Sequence, residues 1–532
     1  MNLRQYETAE WNVNGAVPES APIGVSFPGT FVLTKEDGTT QTTEAEGFYC
    51  GAGRYTIRYY PKAPGTLTVR FQVPGGDPVQ ETCQVAPADP GRHGMVQAKG
   101  IHLAYEDGTR FFSVGTTIYG MIHQRQTLLE TTYRTLAASP FNKIRLCLFP
   151  KYYDFNHEEP ERFPFARNED GSFDFAAPDD GWWDMLEKNL VRLRQLGIQA
   201  DLILFHPYDH WGFAAMTKNQ CLAYLSYAVR RLCAFPNLWW SLANEYDLMD
   251  RFDRSWWKDF AALLRSKDPY GHLLSNHQCI TEWDFSDPST THVCLQSSAV
   301  MRTPLYQERY HKPVLFDECA YEGNLPYNWG NITARELLHR FWTTSVLGGY
   351  ATHGETFLTR EEAKAWFSGK TGADPILWWA KGGTLRGEAP RRIAFLRALM
   401  ESLPGDPEPD PLDASMDQEK LLEKMQDPAR AAEVPEVMRQ VARMPKEQFA
   451  GFLDGNRLCA GHVGEQVFLQ YFAHNCPCIA FLNLPGDRKY DIRLVDTWEM
   501  TDTLLSRGAS GRTQVLLPGK EGMLLLAWEN AE

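Results

Sequence analysis

The sequence contains no apolar run of the roughly 18 to 20 residues that a helix needs to cross a bilayer. Residues 1–7 end in an acidic side chain where a secretory signal would continue from a basic segment into an apolar one. The first absence excludes a membrane-spanning protein, and the second argues against export. We therefore expect a cytoplasmic protein with no membrane partner.

Basic residues are scarce relative to acidic ones. The chain has 53 Lys and Arg against 67 Asp and Glu, a formal net charge of −14, and no concentrated basic run. Proteins that bind nucleic acids neutralise phosphates with Lys and Arg. The composition therefore predicts an acidic surface and no nucleic-acid partner.

The cysteine pattern lacks the paired spacing of a zinc or redox site. Eleven cysteines is an odd number, and Cys476 and Cys478 are separated by a single residue with no second pair following. Cys147, Cys279 and Cys294 lie inside apparent buried strands, where thiols behave as small apolar groups. A reduced compartment fits this pattern. The sequence also lacks the Gly-x-Ser-x-Gly turn of an acyl hydrolase.

The two ends of the 532-residue chain have the pattern of β-sandwiches. Residues 55–60 and 66–73 alternate apolar and polar side chains, and Pro64-Gly65 between them favours a turn. Residues 404–411 combine four prolines with acids, which is typical of a linker. The expected divisions are an N-terminal immunoglobulin-like β-sandwich at 1–95, a barrel at 96–402, a linker and helical segment at 403–450 and a C-terminal β-sandwich at 451–532.

Between these ends, short apolar strands alternate with amphipathic helices, which indicates parallel βα units. Eight such strands predict a (β/α)8 TIM barrel, with helices expected at 126–138, 180–196, 256–264 and 336–346. The expected strands are 111–117, 143–149, 200–206, 238–244, 273–279, 292–296, 314–318 and 346–350. In this fold the catalytic groups lie at the C-terminal ends of the strands.

Two of these strands end in carboxylates. Residues 238–243 are an almost continuous apolar run that ends in Asn244 and Glu245, and residues 313–316 lead in the same way to Glu318. Glycoside hydrolysis with retention needs two carboxyl groups about 5 to 5.5 Å apart. Since strands four and seven lie across the mouth of a barrel, the two glutamates are candidates for such a pair. Glu318 would attack the sugar, and Glu245 would protonate the leaving oxygen and later activate water.

Further polar side chains fall in the same ring of strand ends. Arg145 on strand two could keep the nucleophile ionised, and His206 follows strand three. Asn244 is suited to donate a hydrogen bond to a sugar 2-hydroxyl as charge builds at the neighbouring carbon. These residues complete a predicted carbohydrate site.

The set formed by Arg145, His206, Asn244-Glu245 and Glu318 resembles glycoside hydrolase clan A, the retaining barrel glycosidases. Over nearly its full length the chain resembles a bacterial group with an N-terminal immunoglobulin-like domain, an apiosidase-like barrel and a C-terminal β domain. The resemblance implies Glu245 as acid/base and Glu318 as nucleophile. The stretches that carry the narrower likeness are 53–61, 243–247, 316–323 and His353-Gly354-Glu355.

One position departs from the clan pattern. Many clan members have a tyrosine near strand six that binds the nucleophile, but residues 292–298 contain none. Gln296 or Tyr321 are candidates to replace it, and the role stays unassigned at this point.

Several loop residues are candidate sugar contacts. His353 and Glu355 follow strand eight, and Trp378 or its neighbour Trp379 could stack on a sugar ring, although adjacent tryptophans cannot both point inward. Asp209 is a further candidate, with a loop ion pair to His210 as the alternative. His206, Asp209 and His210 do not complete a ligand set with ordinary spacing, so we predict no metal and no cofactor.

The sequence therefore predicts a retaining glycoside hydrolase that acts on short oligosaccharides or small glycosides. Two alternatives remain, a furanosidase of apiosidase-like specificity and a non-catalytic carbohydrate-binding protein. The sugar, the anomeric configuration, the linkage and the oligomeric state, including a homo-oligomer, are left open.

Overall fold

The computed structural model describes residues 3–19, 21–368, 374–411 and 418–530. For residue 450 and residues 453–456 it describes the backbone alone. A parallel barrel occupies the middle of the chain, and β-rich parts precede and follow it. Within the described ranges, no helix has both the length and the apolar character needed to cross a bilayer.

The N-terminal part is one antiparallel sheet that folds back on itself. Counted along the chain, its seven strands lie in the order first, seventh, sixth, third, fourth, fifth and second, with only the first and seventh parallel. Phe31 of the third strand stacks on Tyr59 of the fifth at 4.7 Å and lies 5.6 Å from Trp11 of the second, measured between ring centroids. Two facing layers thus form, as in a sandwich, from one continuous sheet. The strands are Leu3–Arg4, Ala9–Asn14, Ser26–Thr34, Thr40–Tyr49, Arg54–Tyr59, Gly65–Phe71 and Val79–Ala86.

Eight parallel strands form the barrel, as predicted. Barrel strands one to eight are Val114–Thr117, Lys143–Cys147, Gln199–Phe205, Leu238–Ala243, Leu274–Ser275, Val293–Gln296, Val314–Glu318 and Tyr350–His353. Their order is 5-4-3-2-1-8-7-6. Strands five and six are joined by the Thr291 N–H, which donates to the Leu274 carbonyl at 2.8 Å, and by the Ser275 hydroxyl, which donates to the His292 carbonyl at 2.7 Å. These bonds involve the residues just before strand six, and they bridge the two ends of a nearly closed ring.

Helices cover the outside of the barrel and leave the strands buried on both faces. They are Gln126–Ala137, Asp180–Gln195, Lys218–Leu232, Trp256–Lys267, Thr303–Tyr310, Ala334–Val346 and Ala389–Ser402, and two short helices, Arg360–Phe367 and Trp378–Lys381, lie in the segment that follows strand eight. The second begins at Asp179, whose carboxylate accepts the Trp182 N–H at 2.7 Å, and it buries Trp183, Leu186 and Leu190. Such burial explains why the strands themselves read as apolar runs.

Strands five and eight depart furthest from their expected bounds. Strand eight was expected at 346–350, but the helix before it continues to Val346 and the strand begins only at Tyr350. Gly348, with φ of 74°, makes the turn between them in a backbone conformation that favours glycine. Strand five is two residues long instead of seven, because Asn276 and the residues after it leave the ladder and enter the loop above the barrel.

A buried ionic network holds the N-terminal sheet against the barrel. The Arg58 guanidinium donates to both carboxylate oxygens of Glu187, at 2.9 and 2.7 Å, and to Glu10 at 2.7 Å. Arg231 also donates to Glu187. Since Arg58 comes from the sheet and Glu187 from a barrel helix, this network fixes the position of one part against the other.

Short pairs of strands lie outside the barrel sheet. Four helices of the described residues then connect the barrel to a second β-rich part. The hairpins and paired loop strands are Val96–Lys99 with His102–Tyr105, Phe165–Arg167 with Phe173–Pro178, and Glu322–Gly323 with Glu355–Thr356. Helices Gln418–Gln426, Pro428–Ala431, Glu436–Ala442 and Lys446–Asn456 lie before the C-terminal strands.

The C-terminal part has two layers. Its sheet contains Glu408–Pro409, Cys459–Val463, Val467–Phe472, Tyr490–Asp496, Thr501–Ala509 and Met523–Glu529. The pair Ile479–Asn483 and Arg512–Leu516 packs over this sheet through Leu482 and Val515. The sheet contacts the barrel where the Tyr471 hydroxyl hydrogen-bonds with His339 Nδ1 at 2.7 Å.

Candidate active site

The two predicted glutamates lie at the C-terminal end of the barrel. Glu318 is the last residue of strand seven, and Glu245 comes two residues after the end of strand four. Arg145, inside strand two, is completely buried, and Asn244 is 1% exposed. The fold therefore brings together the residues at which the apolar runs of the sequence end.

The backbone at Glu245 is held in the left-handed region. Its φ and ψ are 57° and 55°, which cost a non-glycine residue about 1 to 3 kcal/mol. The turn after it is tied down by Asp247, whose carboxylate accepts the backbone N–H groups of Cys279, Ile280 and Thr281, each at 2.7 Å. The loops after strands four and five thus form one support that fixes the Glu245 side chain.

The Glu245 carboxylate accepts two side-chain hydrogen bonds. The Tyr208 hydroxyl donates to Oε2, and Gln296 Nε2 donates to Oε1 at 3.2 Å. Gln296 lies on strand six in register with Glu318 on strand seven. These donors orient the carboxylate from two sides.

The Glu318 carboxylate has a different set of neighbours. The Tyr119 hydroxyl donates to Oε1, the Arg145 Nη1 lies 3.4 Å from the same oxygen, and His277 Nε2 lies 3.8 Å from it. Burial raises the pKa of Glu318, the charge of Glu245 raises it further, and Arg145 and Tyr119 lower it, with a net pKa above the ordinary value. The two carboxylates are therefore close enough to influence each other's ionisation.

Tyr119 supplies the hydrogen bond that the missing strand-six tyrosine would make. Its hydroxyl also lies 2.7 Å from Asn244 Oδ1, so the Tyr119 phenol contacts the ends of both strand four and strand seven. Gln296 binds Glu245 instead, and the buried Tyr321 hydroxyl faces Glu318 and Tyr119, so Tyr321 stays a candidate for the same contact. Sequence reasoning missed Tyr119, Tyr208 and His277. In the sequence each is an aromatic residue one to three positions beyond a strand end.

His206 and Asp209 are bound to the protein itself. His206 is 3% exposed, its Nε2 hydrogen-bonds with the Phe149 carbonyl at 3.1 Å, and burial lowers its pKa to about 3, which keeps it neutral. Asp209 accepts the backbone N–H groups of Trp211, Gly212 and Ala214 at 2.7 to 3.0 Å. Asp209 therefore shapes its own loop, and its contact with substrate stays a prediction.

His353, Glu355 and Trp378 are also bound to the protein itself. Trp378 is 2% exposed and donates from Nε1 to Thr116 Oγ1 at 2.8 Å, while His353 Nδ1 hydrogen-bonds with the same oxygen at 3.1 Å. Glu355 accepts the backbone N–H groups of Arg386 and Gly387 at 2.6 and 2.8 Å. Their sugar contacts stay predictions.

Of the two adjacent tryptophans, Trp379 faces the region of the glutamates. Its ring lies 5.9 Å from that of Tyr119 and 5.0 Å from that of Trp329. Trp378 points the other way, toward Phe141 at 6.5 Å. Only one of the pair can line the opening, as expected from adjacent positions.

The model of a family described as "Apiosidase-like, catalytic domain" matches residues 97–405, which is more than half of the chain. The chain belongs to this apiosidase-like family. Residues 2–73 and 457–526 match two further families, each described as a domain of unknown function. No curated protein matches the chain significantly.

Solved structures agree with the family membership. A candidate glycoside hydrolase from Bacteroides vulgatus is 28% identical with a TM-score of 0.82, covering 99% of this chain and 100% of that chain. A family 5 glycoside hydrolase from the same organism is 15% identical with a TM-score of 0.58, covering 84% of this chain and 95% of that one, and this likeness shows the shared fold. Together with the family membership, the likeness to the 28% identical structure makes this apiosidase-like chain a glycoside hydrolase.

Within the described residues, two groups combine imidazole and carboxylate atoms within 4.8 Å of one another. They are Glu322 with His353 and Glu355, and His339 with His474 and Glu521. In the first group, Glu322 accepts the backbone N–H groups of Glu388 and Ala389, as Glu355 accepts those of Arg386 and Gly387. Burial, with a smaller contribution from Glu322, raises the pKa of Glu355 to about 7. The carboxylates of this group therefore bind the segment that leads into helix Ala389–Ser402.

We expect Tyr119→Phe to move the acidic limb of the pH profile of kcat/KM to higher pH. The Tyr119 hydrogen bond lowers the pKa of Glu318, so its removal raises that pKa, and the carboxylate then becomes protonated at a higher pH as the solution is acidified. A hydrogen bond to a charged group is worth about 1.5 to 3 kcal/mol, which corresponds to a shift of about one to two pH units.

Tyr133→Phe is the matched control, since Tyr133 is equally buried but its hydroxyl donates to Asn189 Oδ1, away from the glutamates. An acidic limb that stays in place in Tyr119→Phe, or moves to lower pH, would contradict the role given to Tyr119.

Proposed function

We propose that this glycoside hydrolase retains the anomeric configuration and cleaves short oligosaccharides or small glycosides. The observation that carries the proposal is the pair of glutamates at the ends of strands four and seven, Glu245 buried and Glu318 slightly exposed, each held by different donors. Glu318 is the nucleophile and Glu245 the acid/base. A cytoplasmic location remains a prediction.

The environments of the two glutamates support this division of roles. Arg145 lies 3.4 Å from Glu318, and no cationic side chain of the described residues lies within 4.0 Å of Glu245. The guanidinium favours an ionised Glu318, which nucleophilic attack requires. The mechanism requires Glu318 ionised and Glu245 protonated before the substrate reacts.

In the first step, an oxygen of Glu318 forms a bond with the anomeric carbon while the bond to the leaving oxygen breaks. Glu245 gives its proton to that oxygen. In the second step, Glu245 takes a proton from water, the water oxygen attacks the anomeric carbon, and the bond to Glu318 breaks. Glu245 ends protonated and Glu318 ionised, as both began.

Nearby side chains support these steps without taking part in bond changes. Tyr119 and Arg145 orient and stabilise the Glu318 carboxylate, and Tyr208 and Gln296 do so for Glu245. Asn244 Nδ2 has no acceptor among the described residues, which leaves it free to donate to a sugar 2-hydroxyl. A hydrogen bond that strengthens in the transition state contributes directly to kcat.

A second candidate function is hydrolysis of a furanoside of apiose type. The observation that favours it is the description of the matched family as apiosidase-like. It uses the same two glutamates and differs only in the sugar that the pocket accepts.

The proposal predicts that the first sugar released has the same anomeric configuration as the substrate. The test uses nitrophenyl pyranosides and furanosides of both anomeric forms, including apiofuranosides, with proton NMR of the first product before mutarotation. Release with retention is the expected result, and activity on an apiofuranoside alone would select the second candidate. A first product of inverted configuration, or no release from any member, would contradict the proposal.

A further inference from the structure

Lys151 is a buried lysine enclosed by aromatic rings. It follows strand two, is 3% exposed, and its Nζ lies 3.7 Å from the ring centroid of Tyr119 and 4.1 Å from that of Tyr208. Tyr153 at 4.9 Å and Trp379 at 5.7 Å complete the surround. Rings attract a cation through their faces but accept no ordinary hydrogen bond.

The Lys151 ammonium makes no hydrogen bond to a described residue, and no described carboxylate oxygen lies within 4.0 Å of it. The other buried lysines of the barrel differ. Lys143 bonds to Asp317 and lies 3.2 Å from Asp201, and Lys381 lies 3.5 Å from Asp374 and 3.7 Å from Glu158. An ammonium carries three donors, and burying them without acceptors is costly. The described residues therefore supply no hydrogen-bond acceptor to the Lys151 ammonium.

The position of Lys151 ties it to the proposed reaction. Two of its four rings belong to Tyr119 and Tyr208, whose hydroxyls donate to Glu318 and Glu245. Burial lowers the pKa of Lys151, and the Glu245 and Glu318 carboxylates act in the opposite direction. A sugar bound at the two glutamates is therefore close enough to offer Lys151 an acceptor.

We propose that Lys151 binds the carboxylate of a uronic acid, so that the sugar attacked by Glu318 is anionic. This inference rests on the proposed function for the position of that sugar. A neutral hydroxyl would accept one hydrogen bond and leave the buried charge without a counter-ion, whereas a carboxylate accepts two and neutralises it.

The test measures binding, which does not depend on turnover. Calorimetry compares D-glucuronate and D-galacturonate with D-glucose and D-galactose for the wild type, Lys151→Met and Lys151→Gln. Lys381→Met is the matched control, because that lysine is equally buried and its charge is already paired. Near-ultraviolet circular dichroism confirms that each variant is folded.

We expect the wild type and Lys381→Met to bind at least one uronate about 10-fold or more tighter than its neutral counterpart, and both Lys151 variants to lose about 10- to 100-fold in uronate affinity. Equal binding of uronates and neutral sugars, no uronate binding, or an undiminished preference in both Lys151 variants would overturn the inference. Uronate preference without any glycoside turnover would instead count against the hydrolase mechanism. Turnover of neutral glycosides without uronate binding would count against Lys151 alone.

Discussion

Glu318→Ala lowers kcat by about 10³-fold or more on any glycoside that the wild type cleaves, equivalent to roughly 4 kcal/mol of lost transition-state stabilisation. The expectation follows from the absence of an alternative nucleophile at the same position. The Tyr119 phenol and the Arg145 guanidinium contact Glu318 Oε1, and neither carries a carboxylate. The measurement is kcat with a nitrophenyl substrate.

Azide separates the roles of the two glutamates. In Glu318→Ala the space left by the side chain admits azide, which attacks from the same face and gives a glycosyl azide of inverted configuration. In Glu245→Ala a nitrophenolate still leaves without an acid, the ester with Glu318 accumulates, and azide releases it with retained configuration. Identical stereochemistry in the two variants would contradict the assignment.

Glu308→Ala is the control for the kinetic comparison, because Glu308 is exposed on helix Thr303–Tyr310. It should leave kcat unchanged. Full activity in Glu318→Ala would remove the nucleophile from the proposal, whatever the result for Glu245.

Lys143→Met destabilises the fold by about 3 to 5 kcal/mol. Lys143, Asp201 and Asp317 are almost completely buried beneath the glutamates, and Lys143 bonds to Asp317 while lying 3.2 Å from Asp201. Burial opposes the charge on Lys143, but the two aspartates outweigh it and raise its pKa above the ordinary value. Removing the ammonium leaves two carboxylates in the core with Arg145 as the remaining cation.

The measurement is the free energy of unfolding from urea denaturation followed by the tryptophan fluorescence of the barrel. Lys218→Met is the matched control, since Lys218 forms an exposed pair with Asp259 at 2.5 Å and such pairs contribute about 0 to 1 kcal/mol. Lys143→Met with Asp317→Asn should recover part of the loss. Equal stability of Lys143→Met and Lys218→Met would show that the buried network is not needed for folding.

The barrel and its pair of glutamates could be predicted from the sequence because parallel strands under helices are apolar on both faces. Leu238–Ala243 is completely buried, so its polar continuation at Asn244 and Glu245 marks the point where the chain leaves the core. Strand seven ends in the same way at Glu318. The domain boundaries near residues 95, 402 and 450 remain predictions.

The bounds of strand eight and the pairing of the N-terminal strands could not be predicted from the sequence. The amphipathic pattern of helix Ala334–Val346 continues smoothly into the apolar residues after it, and the pattern alone could not show that Gly348 separates helix from strand eight. The sequence likewise predicted a sandwich of two sheets at the N-terminus, whereas the structure has one continuous sheet. Alternation of apolar and polar residues shows that a segment is a strand, but it does not show which distant strand it pairs with.

The sequence by itself determined the barrel and the two carboxylates, since burial on both faces of a strand constrains every residue along it. Only the tertiary structure decided which loop side chains surround them: Tyr119 against Glu318, Tyr208 against Glu245, Trp379 instead of Trp378, and Lys151 among the rings. The physical reason is that a loop residue carries no periodic pattern, and its side-chain direction depends on packing between segments far apart in the chain.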